Sequence, residues 1–172
     1  NYASAHDNLT LWDKLQTTNP DASEEELLAM NKMSAALVLT SQGIPFFQAG
    51  EEIARTKVNA DGSFNHNSYN APDSVNKIDW TRKEEYSNLF EYYKGLITLR
   101  KSHKSFRMNT TSDIQSALNF LDVTHSNVVA YTLNGKQTND SWDNIAVIFN
   151  SNDKEVEVEL PSSDWTVVRS EE

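Results

Sequence analysis

The chain has 172 residues, of which 38% are hydrophobic, 23% charged and 10% aromatic, with a net charge of −10 and a pI of about 4.8. That balance argues against a disordered chain and suits one domain or parts of two, while the acidity makes nucleic acid and anionic membranes poor partners because phosphates repel it. The absence of cysteine rules out disulfides and thiolate metal sites, and no apolar run is long enough to span a bilayer. Neutral substrates such as sugars stay open. The chain starts Asn1-Tyr2-Ala3-Ser4-Ala5-His6, with neither an initiator methionine nor a signal peptide, and reads as a piece of something longer.

The first strong helix starts at Ser23, where Glu26 three residues on completes a capping box. Leu27, Leu28, Met30, Met33, Leu37 and Val38 follow, and Gly43 stops it. From Ala35 to Leu39 it is apolar on nearly every side, which predicts full burial of that end. Ile44-Pro45-Phe46-Phe47 then reads as a short buried strand, with Pro45 near its start where a missing N–H is tolerable. A helix feeding such a strand is the repeat of a parallel α/β barrel or sheet. Residues 48 to 80 form a long polar stretch of a length that often carries function. A second helix is predicted from Thr81, with Glu84 as another capping box and Tyr86, Leu89, Phe90, Tyr93, Leu96 and Ile97 on one face, ending near His103. Past about Met108, short strands are predicted at 118–121, 128–133, 145–149, 156–160 and 165–168, separated by Asn, Gly, Asp and Ser turns. The fold class is therefore α/β plus all-β: residues 1–108, then a small antiparallel domain at 109–172.

Three segments carry a resemblance. Tyr2-Ala3-Ser4-Ala5-His6-Asp7-Asn8-Leu9-Thr10-Leu11-Trp12-Asp13 resembles the motif at the end of the seventh barrel strand in α-amylase-superfamily enzymes, in the form seen in type I pullulanases. Gln42-Gly43-Ile44-Pro45-Phe46-Phe47-Gln48-Ala49-Gly50-Glu51-Glu52 is similar to their eighth strand. Ser68-Tyr69-Asn70-Ala71-Pro72-Asp73-Ser74-Val75-Asn76-Lys77-Ile78-Asp79-Trp80 is similar to the loop after it. The likeness implies that residues 1–108 are the last part of a (β/α)8 TIM barrel, whose site lies at the carboxyl ends of the strands, and that 109–172 are the usual carboxy-terminal β-sandwich.

The reaction it implies is retaining hydrolysis of α-1,6-glucosidic bonds in pullulan and branched α-glucans, which needs two carboxyl groups about 5–5.5 Å apart. In the superfamily these sit on earlier strands, so the upstream part of the same enzyme would supply them and this piece alone would be inactive. Asp7 matches the family's third carboxylate, which holds ring hydroxyls and favours an oxocarbenium-like transition state. His6 matches the neighbouring histidine on the same sugar. Asp73 and Lys77 match positions that bind glucose units further along, where the family pattern often has arginine; lysine keeps the charge and loses the planar fork. Asn8 and Asn76 are further candidates for sugar contact, and Tyr69 could stack on a glucose face. An extracellular or cell-surface location is the family's usual one. Calcium in the parent is conceivable, but no ligand pattern here supports a metal or cofactor: Asp61-Gly62 with Asn65 and Asn67 lacks the acidic spacing of a calcium loop.

Other readings of the same residues stand beside this one. His6-Asp7 without its neighbours is a strand-end turn with local hydrogen bonds. Glu51-Glu52, adjacent on a strand, would point to opposite faces and suit a structural or rim role. Trp12 and Trp80 could be sugar platforms or core. Related barrels hydrolyse α-1,4 bonds or transfer glucan segments on one scaffold. A carbohydrate-binding or scaffold module would instead use exposed aromatics of the β half, with Tyr131, Trp142 and Trp165 as candidates.

Overall fold

The structure, a computed structural model, describes residues 1–162 and 164–170. Two compact units form, Asn1–Leu99 and Arg100–Glu172.

In the first unit, α1 (Leu11–Thr18) begins where the Thr10 side chain accepts from Asp13 N at 3.1 Å. This satisfies one of the donors that a helix start leaves orphaned. The expected capping box opens α2 (Glu24–Thr40): Ser23 Oγ accepts from Glu26 N at 3.2 Å and Ser23 N donates to the Glu26 carboxylate at 2.7 Å. Three shorter pieces follow: a 3-10 turn at Glu51–Ile53, α3 (Asp73–Asn76) and α4 (Arg82–Glu85). The long α5 (Ser87–Ser102) closes the unit. α1 packs on α2, and Leu11, Trp12, Leu27, Ala35, Leu39, Leu89, Tyr93 and Leu96 are buried. The Trp12 and Tyr86 rings meet edge-on at 5.5 Å, and Phe47 meets Tyr93 at 5.6 Å. Each large side chain so buried contributes about 1.5–3 kcal/mol.

Three expectations are corrected here. Ile44–Phe47 is not a buried strand: Ile44 is 85% exposed and no ladder is assigned. Asn1 N donates to Ile44 O at 2.8 Å and Phe46 N to Asn1 O at 2.9 Å, one rung of a parallel pairing around Pro45. One rung on one side is too little to make a strand. The stripe at the end of α2 is interrupted, since Leu37 is 41% exposed between buried neighbours. Thr81 is no capping box either. Its hydroxyl donates to Asp79 Oδ1 at 2.6 Å and its N–H to the same oxygen at 3.2 Å, an Asx turn that competes with capping. Helix α4 then breaks at Tyr86 (φ −105°, ψ 36°) before α5 begins.

The second unit holds the end of α5, a 3-10 turn at Lys104–Phe106, α6 (Thr111–Ala117) and three strands: β1 (Leu118–Phe120), β2 (Val128–Asn134) and β3 (Asn144–Asn150). They form one antiparallel sheet in the order β1-β2-β3, with Phe120 opposite Tyr131 and Leu133 opposite Ile145. Ala130, Tyr131, Leu133, Ile145 and Phe106 are its buried centre. The segments 156–160 and 165–168, expected as strands, are irregular. Val156, Val158 and Leu160 are half-buried and Glu157 and Glu159 exposed, so the period-2 pattern is present without the ladder that would make it a strand.

Candidate functional site

The segment from Ser4 to Thr10 is pinned at both ends and open in its middle. Ser4 is buried, and its hydroxyl donates to Glu51 Oε1. Thr10 is buried as the cap of α1. Between them the His6 and Asp7 side chains are 83% and 77% exposed, with His6 Nε2 3.5 Å from Asp7 Oδ2. Asn8 takes a left-handed backbone (φ 62°), which asparagine tolerates better than most residues. The strap therefore presents an imidazole and a carboxylate side by side to solvent, on backbone fixed from below.

The second stretch, residues 68 to 79, is held mainly through its own amides. Asn76 Nδ2 donates to Ser68 O at 2.6 Å and to Ala71 O at 3.2 Å. Both its N–H groups are thus engaged in closing the loop, and Asn76 acts here as a clamp. Arg55 donates to Asn76 O from the other side. Asp73 is exposed at the start of α3, and its carbonyl accepts from Lys77 N at 2.8 Å. Lys77 Nζ reaches Asp79 Oδ2 at 2.9 Å. The Thr81 hydroxyl, then Lys77, hold the Asp79 carboxyl down to about 2. Tyr69 is 82% exposed, with a ring face open to a planar or sugar partner.

What joins the two stretches is a residue that sequence reasoning missed. Lys57 is 3% exposed. Its Nζ donates to His6 O at 3.1 Å and to Ser68 Oγ at 2.8 Å. Burial pushes its pKa down, reinforced by Arg55, while Asp13 and Asp7 act the other way. Asp13, wholly buried, holds the backbone beneath: its Oδ2 accepts from Lys57 N at 2.8 Å and its Oδ1 from the Thr56 hydroxyl. The sequence signal for Asp13 was readable, as Thr10-x-x-Asp13 at a helix start. Lys57 gave none, since its partners are far along the chain.

Glu51 and Glu52 lie on a 3-10 turn, not on a strand, and their environments differ. Glu51 is buried, accepting from Ser4 Oγ, from Gln48 N at 3.0 Å and from Tyr93 OH at 3.3 Å, and desolvation raises its pKa. Glu52 accepts from Gly50 N at 2.9 Å within the turn. Gly50 sits at φ 101° with Arg55 Cβ 2.7 Å from where a side chain would begin, so glycine is required there. Trp12 is core, whereas Trp80 is 64% exposed. Asp61 Oδ1 accepts from Ser63 N and Ser63 Oγ at 3.0 and 2.7 Å, a local turn. In the second unit, Tyr131 is buried and Trp142 is covered by the His103 ring, 3.6 Å between centroids.

Residues 114–172 match the family model described as the pullulanase all-beta domain. The chain is 36% identical to the pullulanase of Bacillus subtilis (strain 168) over 94% of its own length and 22% of that protein. It is 26% identical to the isoamylase of Pseudomonas amyloderamosa, over 88% of this chain and 20% of that one. Among solved structures, the pullulanase from Bacillus acidopullulyticus superposes with a TM-score of 0.88 at 44% identity, covering 95% of this chain and 19% of that one. The pullulanase from Paenibacillus barengoltzii, in complex with maltohexaose and α-cyclodextrin, does so with a TM-score of 0.85 at 42% identity, covering 94% and 24%. The chain spans about a fifth of the length of these two curated relatives.

Proposed function

We infer, from a likeness to pullulanases that runs along 94% of the chain, that it is part of a debranching α-glucan hydrolase of the type I pullulanase kind. Residues 1–108 are its contribution to the end of a (β/α)8 barrel, and residues 109–172 are a β-sandwich built on the sheet β1-β2-β3. The reaction is hydrolysis of α-1,6-glucosidic bonds with retention. The nucleophile and general acid come from the part of the enzyme upstream of this chain, so this chain alone has no activity. The enzyme works outside the cell or at its surface, where large glucans are met.

The observation that carries the site assignment within that reading is the His6-Asp7 pair, exposed on a strap fixed at Ser4, His6 and Thr10. An exposed carboxylate on rigid backbone is what transition-state stabilisation needs. Asp7 accepts from hydroxyls of the ring being cleaved, and its charge stabilises the developing oxocarbenium more than the neutral ground state. His6 donates to the same ring. Tyr69 and Asp73 hold glucose units beyond it, and Lys77, through its pair with Asp79, fixes the end of that loop. Asn8 shapes the strap and offers its amide to the sugar. Trp142, covered by His103, does not offer that face as a platform, and this weighs against a binding module centred on the β half.

The test is pullulan hydrolysis by the full-length enzyme and by Asp7→Asn, followed by reducing ends and trisaccharide product. Removing one transition-state group of this kind costs about 10²–10³-fold in kcat, with KM nearly constant and the melting temperature unchanged. Cleavage confined to linear α-1,4 glucan overturns the linkage assignment. Full activity in Asp7→Asn makes Asp7 a turn residue.

A further inference from the structure

We propose that Lys57 is a positioning residue that locks the His6-Asp7 strap and the substrate loop at Ser68 into one rigid unit; the proposal rests on the reading of His6 and Asp7 given above. Its ammonium donates to the His6 carbonyl at 3.1 Å and to the Ser68 hydroxyl at 2.8 Å. The lysine itself is 3% exposed and Ser68 is 7% exposed, so both are shielded from solvent, whereas the His6, Asp7 and Tyr69 side chains are open to it.

A buried ammonium facing a carbonyl and a hydroxyl is an expensive way to fill space. A hydrophobic side chain of the same length would pack there at lower cost. What the ammonium adds is direction: three donors at tetrahedral angles on one atom, two of them aimed at stretches otherwise separate in the sequence. The peptide group it grips is the one joining His6 to Asp7, so any rotation of that peptide swings the carboxylate. Below, Asp13 accepts from Lys57 N at 2.8 Å and from the Thr56 hydroxyl, which anchors the lysine's own backbone to the start of α1. Above, Ser68 is held from its carbonyl side by Asn76 at 2.6 Å. The chain of contacts runs from Asp13 through Lys57 to the strap on one side and to the loop carrying Tyr69 and Asp73 on the other. A shift of about 1 Å in a group that stabilises a transition state can cost about 10²-fold in rate. The lock therefore acts on kcat through Asp7 and on KM through the loop.

The experiment compares wild type, Lys57→Met and Ser68→Ala in the full-length enzyme. Two readouts are used: amide hydrogen exchange of segments 4–10 and 66–72 without substrate, and kcat and KM on pullulan. Lys57→Met keeps the apolar stem and removes both bonds. It is expected to speed exchange in both segments at once, lower kcat at least about tenfold and raise KM, measured at a temperature where the variant is still folded. Ser68→Ala leaves the ammonium on His6, so exchange rises in 66–72 alone, KM rises and kcat stays near wild type. Unchanged exchange in both segments of Lys57→Met, or a loss of stability with kcat intact, overturns the proposal. Should Lys57→Met fail to fold, Ser68→Ala decides: unmoved exchange at 66–72 overturns the lock. If wild type does not cleave pullulan, the functional reading fails while the exchange arm still judges the lock.

Discussion

Replacing Glu51 by glutamine and by alanine separates two roles that its position could serve. Tyr93 OH lies 3.0 Å from Asn31 Oδ1 and 3.3 Å from Glu51 Oε2. A tyrosine has one proton, so with Glu51 ionised two acceptors face one donor. A neutral carboxyl resolves the conflict by donating to the Tyr93 oxygen while Tyr93 donates to Asn31; turning the Asn31 amide, whose buried Nδ2 has no partner, resolves it instead with Glu51 ionised and accepting from Tyr93, and the two variants distinguish these arrangements. Desolvation raises the Glu51 pKa, in the direction of the neutral carboxyl. Glutamine makes that arrangement permanent: its oxygen accepts from Ser4 Oγ and Gln48 N, and its amide donates to Tyr93. Alanine leaves the buried Ser4 hydroxyl and the Gln48 N–H without an acceptor, at about 1–3 kcal/mol each, or about 2–6 kcal/mol together. The sign of the pH dependence follows. A carboxyl whose folded pKa lies above its ordinary value of 4.5 contributes stability that is full below that value and lost as pH rises through the folded one. The glutamine side chain cannot ionise, so the melting temperature of Glu51→Gln relative to wild type is expected to climb between pH 4 and pH 7, and Glu51→Ala to melt lower throughout. Scanning calorimetry of the three proteins at both pH values measures this. If Glu51→Gln falls as far as Glu51→Ala at pH 7, the ionised form is required and the argument is wrong.

Three further outcomes follow from the geometry. In Asp140 burial pushes the pKa up, but the Ser105 N–H at 2.9 Å, His103 Nδ1 at 2.7 Å and the Trp142 N–H at 3.2 Å together hold the carboxyl well below its ordinary value. Its stabilisation is present above pH about 4 and drains away below, and Asp140→Asn, which sets a donor against one of these donors, costs about 1.5–3 kcal/mol in urea unfolding at pH 7. Leu133 is fully buried opposite Ile145, so Leu133→Ala costs about 2–5 kcal/mol by the same measurement, with kcat on pullulan unchanged. Arg82→Met removes the guanidinium from Ala54 O, which it meets at 2.6 and 3.1 Å, and from Ile53 O at 3.3 Å; calorimetry should show a loss of about 1–3 kcal/mol.

What was legible in the sequence was local. Ser23 and Glu26 satisfy each other across one helical turn, so the pattern contains both partners and the helix appears where it points. The stripe on α5 is likewise visible because Leu89, Tyr93 and Leu96 share one face and are all buried, with Tyr86, also buried, just ahead of the helix. Thr81 and Glu84 show the same spelling with a different result, because Asp79 two residues earlier offers a better acceptor. The segment 44–47 reads as a strand by composition, but a strand is a relation to neighbours, and here its pairing is a single rung to Asn1. The candidate site divided along the same line. His6-Asp7 and Tyr69 were named from their segments and are exposed. Lys57 was invisible because its partners are 51 and 11 positions away, and no periodicity encodes a lysine's reach.

The stretch from Gln48 to Arg82 shows what a site-bearing loop uses its titratable side chains for. Backbone N–H and C=O groups removed from water must find partners, and this stretch has only short helical turns and one isolated antiparallel bridge, Val58 to Phe64, to supply them. Backbone turns pair some of them, and titratable side chains add further partners. Glu51 accepts from Gln48 N, Glu52 from Gly50 N and Asp13 from Lys57 N. Arg55 donates to Ala49 O and Asn76 O, and Arg82 to Ile53 O and Ala54 O. Ala54 is fully buried in a left-handed conformation, φ 52°, a strain of about 1–2 kcal/mol for a non-glycine residue; Arg82 grips the carbonyl that this conformation turns outward. A ladder fixes backbone whatever the side chains are, whereas these contacts depend on each side chain's length and charge. The loop's shape is therefore written in single residues, which gives a rigid scaffold for exposed groups such as Asp7 and Tyr69, and which makes the loop sensitive to substitutions that never touch a substrate.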